Sequence, residues 1–255
     1  MARISVVVPS LNQGPFIEAT LRSLFSQGFP DLEVILVDGG STDSTPQIID
    51  KYLKAISIVI SEPDNGQTDA LNKGFHVATG EILGWLCSDD LLEANSLQFV
   101  ARQFEGDVHT QWIYGDACII DRLGKRIKMK KEPPFSPFVW FWDYNFIPQP
   151  SCFWRKNLYE AVGGLDPSFE CAMDTDLFAR FLRIAQPCHV SSVLSSIRIY
   201  PEQKNQRLRE VSDAEDHRIR ERELGRPISR TEARMKKMFA KSVRVLTRGF
   251  AGGYF

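Results

Sequence analysis

Two apolar segments that each end in acidic residues most constrain the fold of this chain of 255 residues. The first, residues 34–37 of EVILVDGGSTD, leads into Asp38, and the second, residues 82–86 of GEILGWLCSDD, leads into Asp89 and Asp90. Both segments are rich in branched and aromatic residues, which predicts buried strands. Ligands of open α/β sheets bind beyond the carboxyl ends of the strands. The two acidic strand ends therefore predict one shared site, for a nucleotide with a divalent cation.

Strands and helices alternate through the first hundred residues. The patterns predict strands at residues 4–8, 33–37, 56–60 and 82–86 and helices at residues 16–26, 46–54, 67–78 and 93–104. Pro9 lacks the N–H that a ladder needs, and it marks the expected end of the first strand. Such alternation implies right-handed crossovers and a parallel sheet. We therefore predict an α/β fold with a Rossmann-like, mostly parallel sheet flanked by helices.

The second half of the chain is more mixed. Short strands are expected at residues 112–114 and 117–120, followed by a hairpin turn at residues 121–124. An aromatic, proline-rich stretch then covers residues 133–154, and a helix is expected from about residue 174. The aromatic stretch has two interpretations, a core segment or an acceptor surface on which sugar rings stack.

Charge and cysteine content narrow the class of protein. A net charge of -1 gives no general attraction to nucleic acid, which is not expected as a partner. The odd number of cysteines, without a CxxC pair, predicts reduced thiols in a cytoplasmic protein and no zinc site. The N-terminus runs directly into a strand, so no signal peptide is expected, and no segment reaches the about eighteen apolar residues of a membrane span.

The last fifty residues differ from the rest in charge. Residues 206–255 hold thirteen Lys or Arg against seven Asp or Glu, and helices are expected at residues 207–224 and 229–247. In the second helix apolar and basic residues alternate in the segment MKKMFAKSVRVL. The pattern suits a solvated or oligomer-forming extension, or a peripheral contact with the inner face of a membrane.

Four separated segments together resemble the inverting family 2 glycosyltransferases of the GT-A fold. They are ISVVVPSLNQGPFIEATLRSLFSQ, LEVILVDGGSTDSTPQII, DNGQTDALNKGFHVATGEILGWLCSDDLL and GGLDPSFECAMDTDLFARFL. The resemblance covers roughly residues 3–205 and implies a GT-A domain at 1–205, with a nucleotide-binding half at 1–105 and an acceptor-binding half at 106–205. Residues 206–255 would be a basic helical extension. The implied reaction moves a sugar from a nucleotide-diphospho-sugar, most often UDP-linked, to a hydroxyl of a glycan or lipid-linked acceptor with inversion, using Mn²⁺ or Mg²⁺.

The resemblance also implies which residues contact the donor nucleotide. Asp38 matches the carboxylate that accepts a hydrogen bond from the base, although an Asx-turn in a tight loop would also explain it. Lys73 is a candidate phosphate contact or a solvated helix residue. The other positions expected at the donor nucleotide are Pro9, Ser10, Asn12, Asp64, Gln67, Asn72 and Ser88.

Asp89 matches the second Asp of the family's metal-binding DxD motif, and Cys87 replaces the first. Carboxylate oxygens suit Mg²⁺ and Mn²⁺, whereas a thiol suits them poorly. Asp89, helped by Asp90 through water, is therefore expected to hold the ion together with the diphosphate. The alternative for both aspartates is a helix cap.

The segment AMDTDLFARF matches the family's acidic pair before a helix, with Met173 at the Glu position and Asp174 at that of the catalytic base. Asp176 is the competing candidate, and either residue can merely cap the helix. Further on, Arg198 and Lys204 match positions that neutralise the leaving diphosphate, with a solvent-facing role as the alternative. Tyr200 stands where a His is usual.

Two other functions fit parts of the sequence. A sugar nucleotidyltransferase is disfavoured because no glycine-rich phosphate loop follows the first strand. A nucleotide-sugar sensor or scaffold is suggested by Cys87, Met173 and Tyr200, which all depart from the family pattern. Dehydrogenase and P-loop functions fail because GxGxxG and GxxxxGK[ST] are absent.

Overall fold

The computed structural model describes residues 2–250, and in this part of the chain nine strands form one sheet. The strands are β1 Ile4–Ser10, β2 Leu32–Asp38, β3 Ile58–Ser61, β4 Ile82–Trp85, β5 Leu91–Leu92, β6 Trp112–Ile120, β7 Arg126–Lys130, β8 Cys152–Arg155 and β9 Cys188–Arg198. The helices are α1 Ile17–Phe25, α2 Thr45–Tyr52, α3 Gln67–Val77, α4 Ser96–Gly106, α5 Pro137–Trp142, α6 Lys156–Ala161, α7 Met173–Leu182, α8 Lys204–Arg207, α9 Arg209–Leu224 and α10 Arg230–Phe250.

The strand order is β3-β2-β1-β4-β8-β6-β9-β5, with β7 paired to β6. The strands β1 to β4 pair in parallel, as predicted, and the sheet becomes mixed where β8 joins β4 antiparallel. Parallel strands need crossover helices, and these cover both faces of the sheet. The carboxyl ends of β1, β2 and β4 consequently lie at the same edge.

Side chains of the central strand β1 alternate between two apolar cores. Val6 and Val8 face the core beneath α1, α2 and α4, whereas Val7 faces the core that includes residues of α3 and α7. On the second face, α3 lies very close to the sheet, because a Cβ on Gly74 would stand 2.4 Å from Cγ1 of Val7. This close contact fixes the N-terminus of α3 beside the ends of β1 and β4.

The expected end of the first strand at Pro9 is wrong, because β1 continues to Ser10. The carbonyl of Val7 accepts from Leu86 on the β4 side, so the nitrogen of Pro9, two residues on, faces the same side. The pairing with β4 ends at Val7, so Pro9 interrupts no ladder bond there. Pro9 and Ser10 pair with Val37 and Asp38 of β2, which extends the sheet toward the candidate site.

Two further expectations need correction. The helix expected at residues 93–104 begins only at Ser96, because Leu91–Leu92 form β5 and pair with β9. The two short strands expected at residues 112–114 and 117–120 are one strand, β6, whose pairing with β9 shifts register around Asp116. A local irregularity in the pairing therefore accounts for the break in the sequence pattern.

The C-terminal helices are present as expected. Ile219 of α9 is 1% exposed and belongs to the core that contains α7, while α10 packs against α5. In the part of the chain that the structure describes, every helix is too short or too polar to cross a membrane. A domain boundary at residue 205 stays a prediction, since α9 shares its core with the preceding half.

Candidate active site

Two carboxylates and a thiol meet in the turn that follows β4. One ligand atom from each of Cys87, Asp89 and Asp90 lies within 4.8 Å of the others. Asp90 is 6% exposed, and burial, followed by the charge of Asp89, raises its pKa well above the ordinary value. The helix-cap alternative is wrong because α4 begins six residues later, at Ser96.

Residues from both halves of the chain hold this turn. The hydroxyl of Thr20 in α1 lies 2.9 Å from the carbonyl oxygen of Ser88 and 2.8 Å from that of Asp90. The backbone N–H of Arg198 donates to Oδ1 of Asp90 at 2.8 Å, and Nε of Arg198 donates to the carbonyl of Asp89 at 2.7 Å. Arg198 is 3% exposed, so its solvent-facing alternative is wrong. Its guanidinium supports the turn.

Tyr200 and Gln203 orient the carboxylate of Asp89. Oδ2 of Asp89 accepts from the Tyr200 hydroxyl at 2.9 Å and from Nε2 of Gln203 at 3.2 Å. Burial, followed by the charge of Asp89, raises the pKa of Tyr200, which keeps the phenol protonated and donating. Tyr200 therefore positions the carboxylate, a role different from the ligand role of a His at this place.

Cys87 lies beside the carboxylate pair, and its thiol also senses the charge of the predicted base. Burial raises the pKa of its thiol well above the ordinary value, and Asp90, Asp89 and Asp174 each raise it further. Nε2 of Gln67, at the start of α3, lies 3.3 Å from the sulfur. A protonated thiol is a poor ligand for a hard cation, so the donor set that fits Mg²⁺ or Mn²⁺ is the two carboxylates.

Asp174 stands in the first turn of α7. Its Oδ2 accepts from Nδ2 of Asn145 at 3.1 Å, and its Oδ1 accepts from the backbone N–H of Thr175 at 2.7 Å. Burial is the main cause that raises the pKa of Asp174 to about 6, and the nearby charge of Asp216 raises it too. The carboxylate is thus ionised at neutral pH yet basic enough to accept a proton, as a general base must be.

The competitor Asp176 is unsuited to that role. It is 0% exposed, its Oδ2 lies 2.6 Å from the guanidinium of Arg180, and its Oδ1 accepts from Arg222 of α9. Both oxygens of this buried carboxylate are occupied by cationic partners, so they are committed to holding the fold together. Asp176 joins α7 to α9 and leaves Asp174 as the candidate base.

Asn145 was not singled out by the sequence, which marks it only as part of an aromatic stretch. Its Oδ1 accepts from Nε1 of Trp140 at 3.0 Å and from the N–H of Ile147 at 3.2 Å. These two bonds fix the orientation of the amide, so that its Nδ2 faces Asp174. Trp140 is 4% exposed, and Trp142, Phe146 and Trp154 are buried as well, so most of the stretch forms core.

Two hydrogen bonds tie α3 to the segment that enters α7. The hydroxyl of Thr68 donates to the carbonyl of Phe169 at 2.8 Å, and Nδ2 of Asn72 donates to that of Leu165 at 2.9 Å. Oδ1 of Asn72 also accepts from the Tyr159 hydroxyl at 3.1 Å. In this structure the predicted nucleotide contact Asn72 serves to join the two parts of the site.

The loops after β1 and β2 lie against each other. Oδ1 of Asn12 accepts from the N–H of Thr42 at 2.9 Å, with Asn12 in a left-handed conformation at φ 53. Asp38 is 1% exposed and accepts from the N–H of Ser41 at 3.2 Å, three residues on and not two as in the Asx-turn of its structural alternative. The hydroxyl of Ser10 is buried and has no hydrogen-bond partner within residues 2–247. A buried, unsatisfied hydroxyl at a strand end is suited to contact a ligand.

The remaining predicted contacts lie around these loops. Oδ1 of Asp64 accepts from the N–H of Gly66 at 2.9 Å. Lys73 pairs with Glu62 at 2.9 Å, and Nζ of Lys204 donates to the carbonyl of Glu170 at 2.6 Å. Direct contacts of these side chains with a nucleotide or a diphosphate stay predictions.

Glu215 of α9 is the other functional residue that the sequence did not reveal. Its carboxylate accepts from three consecutive backbone N–H groups, those of Glu170 at 2.7 Å and of Cys171 and Ala172 at 2.8 Å each. These groups immediately precede α7. A helix of the basic tail therefore fixes the start of the helix that carries Asp174.

Comparison with known proteins identifies the family. The model of glycosyl transferase family 2 matches residues 5–162, which is more than half of the chain. The chain therefore belongs to glycosyl transferase family 2. An uncharacterized glycosyltransferase of Mycobacterium tuberculosis is 28% identical over 197 residues, covering 75% of this chain and 73% of the relative. A PGL/p-HBAD biosynthesis glycosyltransferase of Mycobacterium bovis is 29% identical over 180 residues, covering 69% of this chain and 68% of the relative.

Solved structures confirm the GT-A fold. The 1-349 fragment of TarS of Staphylococcus aureus in complex with UDP superposes with a TM-score of 0.69 at 21% identity, covering 98% of this chain and 72% of that fragment. The mannosyltransferase PcManGT of Pyrobaculum calidifontis, in complex with GDP-Man and Mn²⁺, superposes with a TM-score of 0.65 at 18% identity, covering 100% of this chain and 76% of that enzyme.

Replacing Glu215 with Gln tests whether α9 fixes the entry into α7. An amide keeps one acceptor oxygen and places an NH₂ group among backbone donors, so we expect Glu215→Gln to lower the free energy of unfolding by about 2 to 3 kcal/mol. Urea denaturation measures the effect. The matched control is Glu210→Gln on the exposed side of the same helix, expected to change stability by less than about 0.5 kcal/mol. Equal stability of the two variants would contradict the role of Glu215.

Proposed function

We propose that this family 2 glycosyltransferase transfers a sugar from a UDP-linked donor to an acceptor hydroxyl, with inversion and with the help of a divalent cation. The observation that carries the proposal is the cluster after β4, where ligand atoms of Cys87, Asp89 and Asp90 lie within 4.8 Å of one another and where the charge of Asp174 also raises the pKa of the Cys87 thiol. A carboxylate pair suited to a cation and a separate carboxylate suited to accept a proton thus act on the same thiol, which supports placing them in one site.

Asp174 acts as the base in the proposed reaction. Inverting transfer needs a carboxylate that takes the proton from the acceptor hydroxyl while the oxygen attacks the anomeric carbon. Asn145 and the N–H of Thr175 hold the two oxygens of Asp174 in a defined orientation. Such fixed orientation favours proton transfer because the base does not have to reorganise as the hydroxyl reacts.

Asp89 and Asp90 would hold Mn²⁺ or Mg²⁺. The bound cation would supply Lewis-acid stabilisation of the departing diphosphate. Tyr200 and Gln203 keep Oδ2 of Asp89 oriented, and Arg198 keeps Asp90 in the turn. Two close, partly buried carboxylates repel each other, so this arrangement favours binding of a cation at the pair.

The donor is proposed to lie over the loops after β1 and β2. Ser10, Asn12 and Asp38 stand there, and the buried hydroxyl of Ser10 has a free hydrogen-bonding capacity within the described side chains. TarS binds UDP and UDP-GlcNAc, and PcManGT binds GDP-Man with Mn²⁺. These neighbours support a nucleoside-diphosphate sugar as the donor, and we propose UDP as its nucleotide.

The acceptor is proposed to be a hydroxyl of a glycan or of a lipid-linked sugar. A cytoplasmic location is proposed with it, together with a peripheral contact of α10 with the inner face of a membrane. The main alternative is a nucleotide-sugar sensor or scaffold without turnover. Slow release of UDP and free sugar from the donor, measured without acceptor, distinguishes a transferase from a sensor, which would bind the donor and release nothing.

Replacing Asp174 with Asn tests the base. The amide cannot accept the proton of the acceptor hydroxyl, so we expect the rate of transfer to fall by about 10²- to 10⁴-fold. Release of UDP in the presence of acceptor measures the rate. The control is Asp213→Asn, an exposed change on α9, which should keep the wild-type rate. Full transfer by the Asp174→Asn variant would remove Asp174 from the mechanism.

The pH dependence tests the environment of the base. Because the raised pKa of Asp174 is about 6, the protonated, inactive form grows as pH falls through 6, and kcat/KM should drop about tenfold per pH unit below it. Asp216→Asn removes a like charge and so lowers the pKa of Asp174. The acidic limb of the profile of kcat/KM against pH should therefore shift to lower pH. Asp213→Asn serves again as the control. If the acidic limb stays in place in Asp216→Asn, or moves to higher pH, Asp174 is not the group that titrates there.

A further inference from the structure

The helix α10 presents three different faces along its length. Its inner face contacts the rest of the protein, where Ala240 is 0% exposed and packs with Trp142 and Ile228. Nζ of Lys236 stands 4.1 Å from the centre of the Trp142 ring, and Nε of Arg244 lies 2.5 Å from Oδ2 of Asp143. These contacts fix the rotation of the helix about its axis, and therefore which residues face outward.

An apolar stripe occupies the outer face. It consists of Met235, Met238, Phe239 and Leu246, which are 61%, 65%, 64% and 63% exposed. The spacing of three, four and seven or eight residues places all four on one side of a helix. Contiguous exposed apolar surface of this kind marks an interaction site in a folded protein.

A basic row runs beside the apolar stripe. It consists of Arg230, Arg234, Lys237 and Lys241, spaced by four, three and four residues, and all four are exposed. The only acidic residue in the sequence of α10 is Glu232, which pairs with Arg226 at 2.7 Å. The outer surface of α10 thus combines large apolar side chains with a row of positive charges, and no acidic side chain in the described part of the same helix neutralises that row.

We propose that this surface docks on an anionic lipid bilayer, with the apolar stripe in the interface and the basic row against the headgroups. Interfacial helices combine these two features, because apolar burial and attraction to anionic lipid act together. A second copy of the chain fits less well. A two-fold interface would pair the apolar stripe with itself, and in the antiparallel arrangement this brings the two basic rows to the same side. The charge therefore favours lipid as the occupant.

The position of the stripe relates it to the candidate active site. Phe239 contacts Phe138 of α5, with ring centres 5.6 Å apart. Phe138 also lines a cavity of about 350 Å³ with Trp140 and residues of α7. Trp140 in turn donates to Asn145, the partner of Asp174. A bilayer beneath α10 would thus lie near a cavity whose wall residue Trp140 holds the partner of Asp174, which, if the proposed function holds, suits an acceptor carried by a lipid.

Binding of the full chain to vesicles tests the proposal without any activity measurement. Vesicles of phosphatidylcholine alone are compared with vesicles of equal parts phosphatidylcholine and phosphatidylglycerol, and bound protein is separated by flotation. We expect binding to the anionic vesicles and little to the neutral ones. The double variants Met238→Ser with Phe239→Ser, and Arg234→Glu with Lys241→Glu, should each weaken binding by about tenfold or more.

Matched controls change the same kinds of residues elsewhere. Val108→Ser removes an apolar side chain that is 70% exposed in the loop before β6, and Lys51→Glu with Lys54→Glu reverses two exposed charges at the end of α2 and just beyond it. Both should bind as the wild type does.

Failure of the wild type to bind anionic vesicles, or a dimer in light scattering that the Met238→Ser, Phe239→Ser variant dissociates, would overturn the proposal. Release of UDP from the donor in solution should be unchanged in the α10 variants, so a failed docking proposal is distinct from a failed enzyme assignment.

Discussion

Burial of the carboxylates of Asp90 and Asp174 is the constraint around which this site is built. Asp89, Asp90 and Asp174 all raise the pKa of the half-buried thiol of Cys87. Bringing like charges together in a partly buried cleft is unfavourable, so the surrounding fold has to hold them. Burial is the largest cause of the raised pKa of both Asp90 and Asp174, and the charge of Asp89 adds to it at Asp90 as that of Asp216 does at Asp174. In the proposed mechanism the same cost is useful, because it favours a cation at the pair and a proton at Asp174.

The supports come from distant parts of the chain. Arg198, Tyr200 and Gln203 follow the last strand and hold the carboxylate pair, whereas Glu215 of α9 holds the start of α7. Each support is a hydrogen bond to a charged group, which is stronger than one between neutral groups. The basic tail is therefore part of the site as well as a surface. Its helix α9 positions the base, and α10 carries the face that we propose to meet lipid.

The sequence was sufficient to predict the parallel half of the fold and the turn after β4, because apolar segments that end in Asp leave a strong pattern. It failed at Pro9, where the effect of a missing N–H depends on which neighbouring strand has already ended. It also missed Asn145 and Glu215, since a lone polar residue does not reveal which backbone groups it will meet. The choice between Asp174 and Asp176 likewise needed the structure, because only their partners differ.

The binding of UDP and GDP by calorimetry, with and without Mn²⁺, tests the central claim most directly. If Asp89 helps to hold a cation against the diphosphate while Asp174 faces the acceptor, Mn²⁺ will strengthen nucleotide binding by the wild type and by Asp174→Asn but not by Asp89→Asn. Retention of the Mn²⁺ effect in Asp89→Asn, or its loss in Asp174→Asn, would contradict the division of roles between the two ends of the cleft.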